Sequence, residues 1–460
     1  TSFSAPRRRL KDLEPSAGER EGPAPRSKSL FIDRLATGQR VVLLHVDMSS
    51  QAFPRGAGST LDIAETVELA ASAGLTPVGQ VVARRRREHP RWLVGSGKVD
   101  EIRQLIQAQD ANTLVVNNDL SARQQRNLEE ALDCRVMSRS ELIIHIFAQR
   151  ARTFEGQLQV ELAQLTHAQT QLVGGWSHLE RQRGGIGLRG GAGETQLELD
   201  QRMLATRIKS VQSRLEGVRK RRSQGQRQRR RSGAQTVALV GYTNAGKSTL
   251  FNALAAAGVP AEDKLFATLD PTLRRIDVPG AAQVVLADTV GFISQLPHTL
   301  IDAFKATLEE VSQADLLIHV MDGAAPGLDQ RIADVETVLA EIGASACARI
   351  DVLNKCDLPR AEFAPPGALA VSAATGEGLD ALRSRIGSAL GVQAPIEVDL
   401  PASAGGVRAW LYAAGAVLGE THNGDGGMRL KVRGDERLMA RLRVALRRDP
   451  RVTGMAGGRG

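Results

Sequence analysis

The run Gly241-Tyr242-Thr243-Asn244-Ala245-Gly246-Lys247-Ser248 has the residue types and spacing needed to hold a polyphosphate. Gly241 and Gly246 permit a tight loop whose backbone N–H groups, Tyr242 through Ala245, face phosphate oxygens. Lys247 can reach the β and γ phosphates, Ser248 can ligate Mg²⁺, and Thr249 follows them into a helix whose N-terminus favours anions. The flanks fit this chemistry. Gln235–Val240 is an apolar, β-branched run that reads as a buried strand, and Thr249–Ala255 reads as a helix. A purely structural glycine turn accounts poorly for the full spacing.

Downstream, Asp288-Thr289-Val290-Gly291 closes the strand Gln283–Ala287. Asp288 then emerges at a carboxyl edge, suited to holding the Mg²⁺ water shell, while Gly291 N–H can contact the γ-phosphate. Such a short motif is weak alone and strong in this position. In Asn354-Lys355-Cys356-Asp357, the Asp357 carboxylate can accept both the N1 and N2 protons of guanine. A site built on such an acceptor pair rejects the wrong base by roughly 10⁴-fold. Asn354 would tie this loop to the phosphate loop, Lys355 would cover the base, and in Val371-Ser372-Ala373 the Ala373 N–H could bind guanine O6. Cys356 reads as filler rather than a nucleophile. Between the first two motifs, Phe266-Ala267-Thr268-Leu269-Asp270-Pro271-Thr272 reads as a switch segment, with Thr268 closing on Mg²⁺ and γ-phosphate and Thr272 as the alternative. The catalytic set expected is Lys247, Thr268 and Gly291. Phe292 follows where many GTPases place a water-orienting glutamine, so unaided hydrolysis should be slow and rise when a partner orders the switches.

These motifs need elements to hold them, and the 460 residues with 42% hydrophobic content can supply about three cored domains. Aromatics are only 3%, which leaves the packing to alanine and aliphatic side chains. The fold class read from the sequence is multidomain α/β. Residues 1–39 read as a disordered tail, in which Asp12, Glu14, Glu19 and Glu21 argue against a transit peptide and the start at Thr1 suggests trimming. Residues 40–152 read as an N-terminal α/β domain, with strands Val41–Met48, Thr76–Ala83 and Thr113–Val116 and helices Ser59–Ala73, Val99–Gln109, Ala122–Leu132 and Ser140–Gln149. Residues 153–231 read as an antiparallel helical hairpin. Leu158, Leu162, Leu165 and Leu172 mark one helix, and Leu197, Leu204, Ile208, Val211, Leu215 and Val218 the other. A Ras-like phosphate-loop domain spans 232–394. In 395–460, a linker Pro395–Pro401 precedes a small α+β domain with strands Gly405–Leu418 and Met428–Val432 and a basic helix Arg437–Arg447.

The charge is +9 with pI ≈ 9.9, and it is clustered, which favours a polyanionic partner. The hairpin connection Gly174–Gly193 is long and glycine-rich and carries Arg181, Arg183 and Arg189 beside Trp176 and His178, which suits entry into structured RNA. A floppy tip is the bland alternative. The second hairpin helix runs into a basic linker, Arg219-Lys220-Arg221-Arg222, then Arg227 and Arg229-Arg230-Arg231, with no interleaved acid, so phosphate contact is favoured over a solvated face. Arg84–Arg87 and Gly95-Ser96-Gly97-Lys98 could form a second nucleotide loop, but the spacing is incomplete and a glycine turn is the better reading. Cys134, Cys347 and Cys356 show no pairing or metal spacing, in keeping with a reducing cytoplasm, and no stretch has the apolar length of a membrane helix.

Taken together, the chain from Arg40 onward resembles the HflX family of ribosome-associated GTPases. The most specific likenesses are Gly190–Glu198, similar to the family's RGPGETQLE-type run with Ala192 in place of proline, Phe266–Thr272, and Asp288–Ile293. The resemblance implies a Mg²⁺-dependent GTPase that binds GTP and GDP and the large (50S) ribosomal subunit with its rRNA. It further implies that the hairpin loop is inserted toward the peptidyl-transferase centre and that stalled ribosomes are split, notably under stress. The expected partners exclude DNA and stable membrane insertion, and a monomer is expected. A large-subunit assembly GTPase and a nucleotide-dependent rRNA remodeller stand as alternatives.

Overall fold

A computed structural model of the chain describes residues 38–47, 58–176, 196–231, 234–255, 265–266, 268–279, 281, 283–294, 308–359, 365–392, 395–422, 427–434 and 436–448. The expected tail, the tip of the hairpin loop with Arg181, Arg183 and Arg189, and Ala267 lie outside the described residues.

Three sheets organise the described chain. The first holds β1 (Arg40–Asp47), β2 (Thr76–Arg84), β3 (Thr113–Val116) and β4 (Arg135–Ser138), all parallel, in the order β2-β1-β3-β4. The apolar run Val41–Val46 is buried on both faces, as a strand covered by helices on each side must be. Those helices are α1 (Gly58–Ser72), α2 (Ser96–Ala108), α3 (Ala122–Leu132) and α4 (Arg139–Arg150). Ser121 caps α3 in a reciprocal pair with Gln124, and Ser138 caps α4 through Glu141 N–H. β4 is not anticipated in the sequence, since it runs without a turn into α4 at Arg139.

The hairpin is α5 (Phe154–Trp176) against α6 (Gln196–Arg231), with Leu158, Leu165, Leu204, Val211 and Leu215 buried along the seam. Glu155 pairs with Arg222 and Glu161 with Arg207, so the helices run antiparallel. The stretch expected as a basic linker, 219–231, is helical, since Arg, Lys and Gln are good helix formers and outweigh the single Gly225.

The second sheet has the order β10-β9-β8-β5-β7-β6, in which only β6 is antiparallel. Its strands are β5 (Gln235–Val240), β6 (Thr272–Ile276), β7 (Val284–Asp288), β8 (Leu316–Asp322), β9 (Arg349–Asn354) and β10 (Leu369–Ala370), flanked by α7 (Lys247–Ala255), α8 (Leu328–Glu341) and α9 (Leu379–Ala389). The third sheet, β11 (Ile396–Leu400), β13 (Met428–Val432) and β12 (Val417–His422), is antiparallel and packs on α10 (Gly405–Ala413) and α11 (Glu436–Arg448). Two expectations are corrected here. The supposed linker Pro395–Pro401 contains β11, whose Val398 and Leu400 are buried. The supposed strand Gly405–Leu418 is mostly helix, because Val407, Trp410, Leu411 and Ala414 recur at helical spacing on the core side.

One apolar cluster joins the first two sheets. Phe147, Val160 and Ala163 pack with Leu265, Phe266, Leu269, Val290 and Ile293, and Phe147 meets Phe266 edge-on at 4.6 Å. The two segments flanking the phosphate loop are therefore seated on the N-terminal sheet and hairpin. Among the described residues no helix is long and apolar enough to cross a membrane.

Candidate nucleotide-binding site

The phosphate loop leaves β5 and enters α7. A Cβ at Gly241 (φ +147°) would lie 2.2 Å from Val320 O, and one at Gly246 (φ +87°) would lie 2.3 Å from Asn354 Nδ2, so only glycine fits either place. Lys247 is buried and its ammonium donates to the carbonyls of Gly241 (3.0 Å) and Tyr242 (2.7 Å). Burial lowers this ammonium to about 8, against the opposing pull of Asp288.

Ser248, Thr268 and Asp288 converge although they come from three separate segments. Ser248 Oγ and Thr268 Oγ1 donate to Asp288 Oδ2 at 2.7 and 2.8 Å, and the two hydroxyls lie 2.9 Å apart. Thr272 sits in β6 opposite Asp288, but the hydroxyl of Thr268 is the one in the cluster. Burial pushes the Asp288 carboxyl up, while the two hydroxyls and Lys247 pull it down. Asp288 Oδ1 is buried with no protein partner. A compact set of hard oxygens with one orphaned carboxylate oxygen suits a small divalent cation such as Mg²⁺ that keeps part of its water shell. No group of three or more His, Cys, Asp or Glu poised for a metal occurs among the described residues.

The segment after β7 crosses the phosphate loop. Phe292 N–H donates to Gly241 O (3.1 Å) and Thr243 N–H to Phe292 O (2.7 Å), while Thr289 Oγ1 donates to Leu239 O (2.5 Å). A Cβ at Gly291 would meet Thr243 Cγ2 at 2.8 Å and Lys247 Nζ at 2.9 Å. Phe292 is buried and offers no polar side-chain group here.

Sequence reasoning missed a polar network between the sheets. Glu65 Oε2 accepts from the Tyr242 hydroxyl (2.9 Å) and Ser294 Oγ (2.7 Å), and Tyr242 Oη accepts Ser294 N–H (2.7 Å). Arg139 donates to Glu65 Oε1 (3.1 Å) and Ser294 O (3.0 Å). The partners are far apart in the chain, and only the tyrosine inside the phosphate loop hinted at them.

At the far end, Asn354 Nδ2 donates to Ala245 O (2.9 Å), tying the loops as expected from the residue types. Ala373 N–H, however, donates to Asn354 Oδ1 (3.0 Å). Lys355 (φ +63°) pairs with Asp322 at 2.8 Å, a partner the sequence did not suggest. Ser372 is buried and its Oγ accepts Thr375 N–H (3.1 Å), while Asp357 is exposed in the turn that follows β9.

The basic run divides. Arg222, expected to face RNA, is instead bound inside the molecule, to Glu155 (3.0 Å) and to the buried Glu310 (3.1 Å). Arg219 lies 3.8 Å from Glu309. No acid is interleaved in the sequence run because the folded partners come from other elements. Lys220 and Arg221 remain exposed, and Arg229, Arg230 and Arg231 lie in the last turns of α6. Gly95 is simply the N-cap of α2, and Lys98 pairs with Glu101 one turn on.

Four family models tile the chain: GTP-binding GTPase N-terminal over residues 61–148, GTP-binding GTPase Middle Region over 150–230, 50S ribosome-binding GTPase over 236–355 and HflX C-terminal domain over 360–451. A GTPase HflX of Escherichia coli strain K12 is 47% identical over 412 residues, covering 88% of this chain and 95% of that protein. The chain belongs to the GTPase HflX family. Another HflX, from Magnetococcus marinus, is 44% identical over 392 residues, covering 84% and 90%. Among solved structures, a GTP-binding protein of the archaeon Sulfolobus solfataricus in complex with GDP superposes with a TM-score of 0.41 at 21% identity, over 76% of this chain and 98% of that one. As an HflX protein the chain is a GTPase, and the phosphate-loop region described above lies within residues 236–355, the part that matches the GTPase model.

Proposed function

We propose that this HflX GTPase binds the large ribosomal subunit and uses GTP to split stalled or idle 70S ribosomes in the cytoplasm, as a rescue factor under stress. The observation that carries this reading is the antiparallel hairpin seated against the segments flanking the phosphate loop, with Phe266, Leu269, Val290 and Ile293 in one cluster with Val160 and Ala163 of α5. A two-helix arm attached there can turn switch movement into displacement at its tip. Membership of a family whose GTPase model is described as 50S ribosome-binding supports the choice of partner.

Within the site, Lys247 and the N–H groups of residues 242–248 would hold the phosphates, Asp357 the guanine, joined by Ala373 N–H once it exchanges Asn354 Oδ1 for the base, and Ser248 and Thr268 a Mg²⁺ ion that Asp288 contacts through water. When bound, that ion would neutralise charge developing between the β and γ phosphates. Lys247 would hold phosphate oxygens as the bond breaks, and Gly291 N–H would meet the γ-phosphate once its segment moves off Lys247. Phe292 excludes water and orients none, which supports slow intrinsic turnover that the large subunit raises by ordering Thr268 and Asp288–Phe292. Exposed Lys220 and Arg221, with Arg229, Arg230 and Arg231 and the loop residues Arg181, Arg183 and Arg189, would supply RNA contacts.

Sucrose-gradient sedimentation of 70S ribosomes with the protein and GTP is the direct test. Free subunits should accumulate with GTP, and replacing 174–193 by a short Gly-Ser linker should abolish splitting while GTP binding persists. Full splitting by the loop-replaced protein would make the hairpin a passive connection and favour a role in large-subunit assembly.

A further inference from the structure

Thr268 and Asp270 stand two residues apart and make contacts on opposite sides of one strand of chain. Thr268 joins Ser248 and Asp288 beside the phosphate loop. Asp270 instead docks on the start of α5. Its Oδ2 accepts the N–H groups of Arg152 (3.0 Å) and Thr153 (2.9 Å), and its Oδ1 accepts the Thr153 hydroxyl. Thr153 Oγ1 accepts Gly156 N–H (3.0 Å), so the side chain that caps α5 is itself held by Asp270. The partial positive charge of a helix N-terminus favours a carboxylate there. Gly156 permits the approach, since a Cβ at that position would lie 2.4 Å from Asp270 Oδ1.

The intervening chain is stiff. Leu269 is buried in the cluster with Phe147, Val160 and Ala163, and Pro271 confines the backbone of Asp270 to extended conformations. Two residues span at most about 7 Å, so a shift of a few ångströms at Thr268 cannot be absorbed before it reaches Asp270. The other helix of the hairpin base is held by Glu309 and Glu310, through Arg219 and Arg222.

We infer that Asp270 is the joint through which the bound nucleotide sets the hairpin. With Thr268 engaged beside the γ-phosphate, Asp270 is held on the α5 cap; when Thr268 lets go after hydrolysis, the cap weakens and α5 is free to shift against the GTPase sheet. The inference rests on the proposed reading of the hairpin as the working arm.

Amide hydrogen exchange of the free full-length protein tests it without ribosomes. The amides of residues 152–157 should exchange about tenfold more slowly with Mg²⁺ and a non-hydrolysable GTP analogue than with GDP. Asp270→Ala should remove that difference, leaving fast exchange in both states. Gly156→Ala should do the same from the other side of the contact, although alanine is the better helix former. Unchanged exchange in β1 and β5 controls for folding, and the two variants attack the contact independently. Equal exchange in both nucleotide states of the natural protein, or a difference that survives in a folded variant, overturns the inference. Either result leaves the sedimentation test of ribosome splitting untouched, so the two failures are distinguishable.

Discussion

The phosphate-loop centre and the base of the hairpin lie on either side of the Thr268–Asp270 segment, and they are built in opposite ways. The centre is made of short motifs whose own spacing sets the geometry, and its ionic groups, Lys247 and Asp288, are 6% and 1% exposed. The hairpin base is made of single residues from distant elements, Glu155, Arg222, Asp270 and Glu310, brought together only by folding. The motifs at the centre are thus written locally, and the contacts that seat the hairpin are written across the chain. If so, damage to the centre should change chemistry with the fold intact, and damage to the hairpin base should change stability and coupling with nucleotide binding intact.

The largest effect expected is at the base-recognition end of the centre. Asp357→Asn puts a donor where guanine already donates, so discrimination worth about 10⁴-fold should collapse and xanthosine nucleotides should gain. Competition binding with GDP and XDP measures this directly, and an unchanged GDP preference would remove Asp357 from the base site. Next comes Gly291→Ala. The new methyl group meets Lys247 and Thr243, including its Cα, inside 3 Å, so hydrolysis should fall by about 100-fold in single-turnover assays, with about 1–3 kcal/mol of stability lost to the crowding. Turnover within a few-fold of the natural protein would mean that the segment is not packed on Lys247 during the reaction.

The same contrast explains what was readable. Gly241–Ser248 and Asp288–Gly291 could be read because each motif has a spacing of its own, and the structure brings Ser248, Thr268 and Asp288 to within 3 Å of one another and ties Asn354 to Ala245. Glu65, Arg139, Ser294 and Asp322 could not be read, since their partners are remote and carry no periodicity. Arg222 misled for the same reason: a one-signed run looks free until Glu155 and Glu310 arrive from elsewhere. Secondary structure failed where Gly405-Gly406 and a prolyl-flanked segment imitated a strand and a linker. There the side-chain period of α10 and the pairing of β11 with β13 decide the matter.

Arg222→Ala sharpens the comparison at the hairpin base. It leaves Glu310, 2% exposed, without this partner, and since Arg222 retains some solvent access the loss should be about 2 kcal/mol, read as a lower denaturation midpoint. Lys220→Ala, whose side chain is 75% exposed, should change stability by less than about 0.5 kcal/mol. The order should reverse for rRNA: Lys220→Ala should reduce the salt slope of binding by about 1 and Arg222→Ala should not. A salt slope altered by Arg222→Ala and not by Lys220→Ala would return Arg222 to the RNA-facing set.

An effect of about tenfold separates the two regions by pH. Burial lowers the Lys247 ammonium to about 8, whereas a phosphate beside it restores the charged form. Below pH 8 Lys247 is protonated both with and without nucleotide, so GDP affinity should be flat. Above pH 8 the free protein loses that proton and binding must take one up, so affinity should fall as pH rises, by about tenfold between pH 7 and pH 9. Lys247→Arg supplies the reference, since a guanidinium stays charged throughout, and any pH dependence it retains belongs to the nucleotide. The hairpin variants Asp270→Ala and Arg222→Ala should keep the profile of the natural protein. A profile displaced by either of them, or one that Lys247→Arg reproduces in full, would mean that the fall in affinity does not originate at the buried lysine of the phosphate loop.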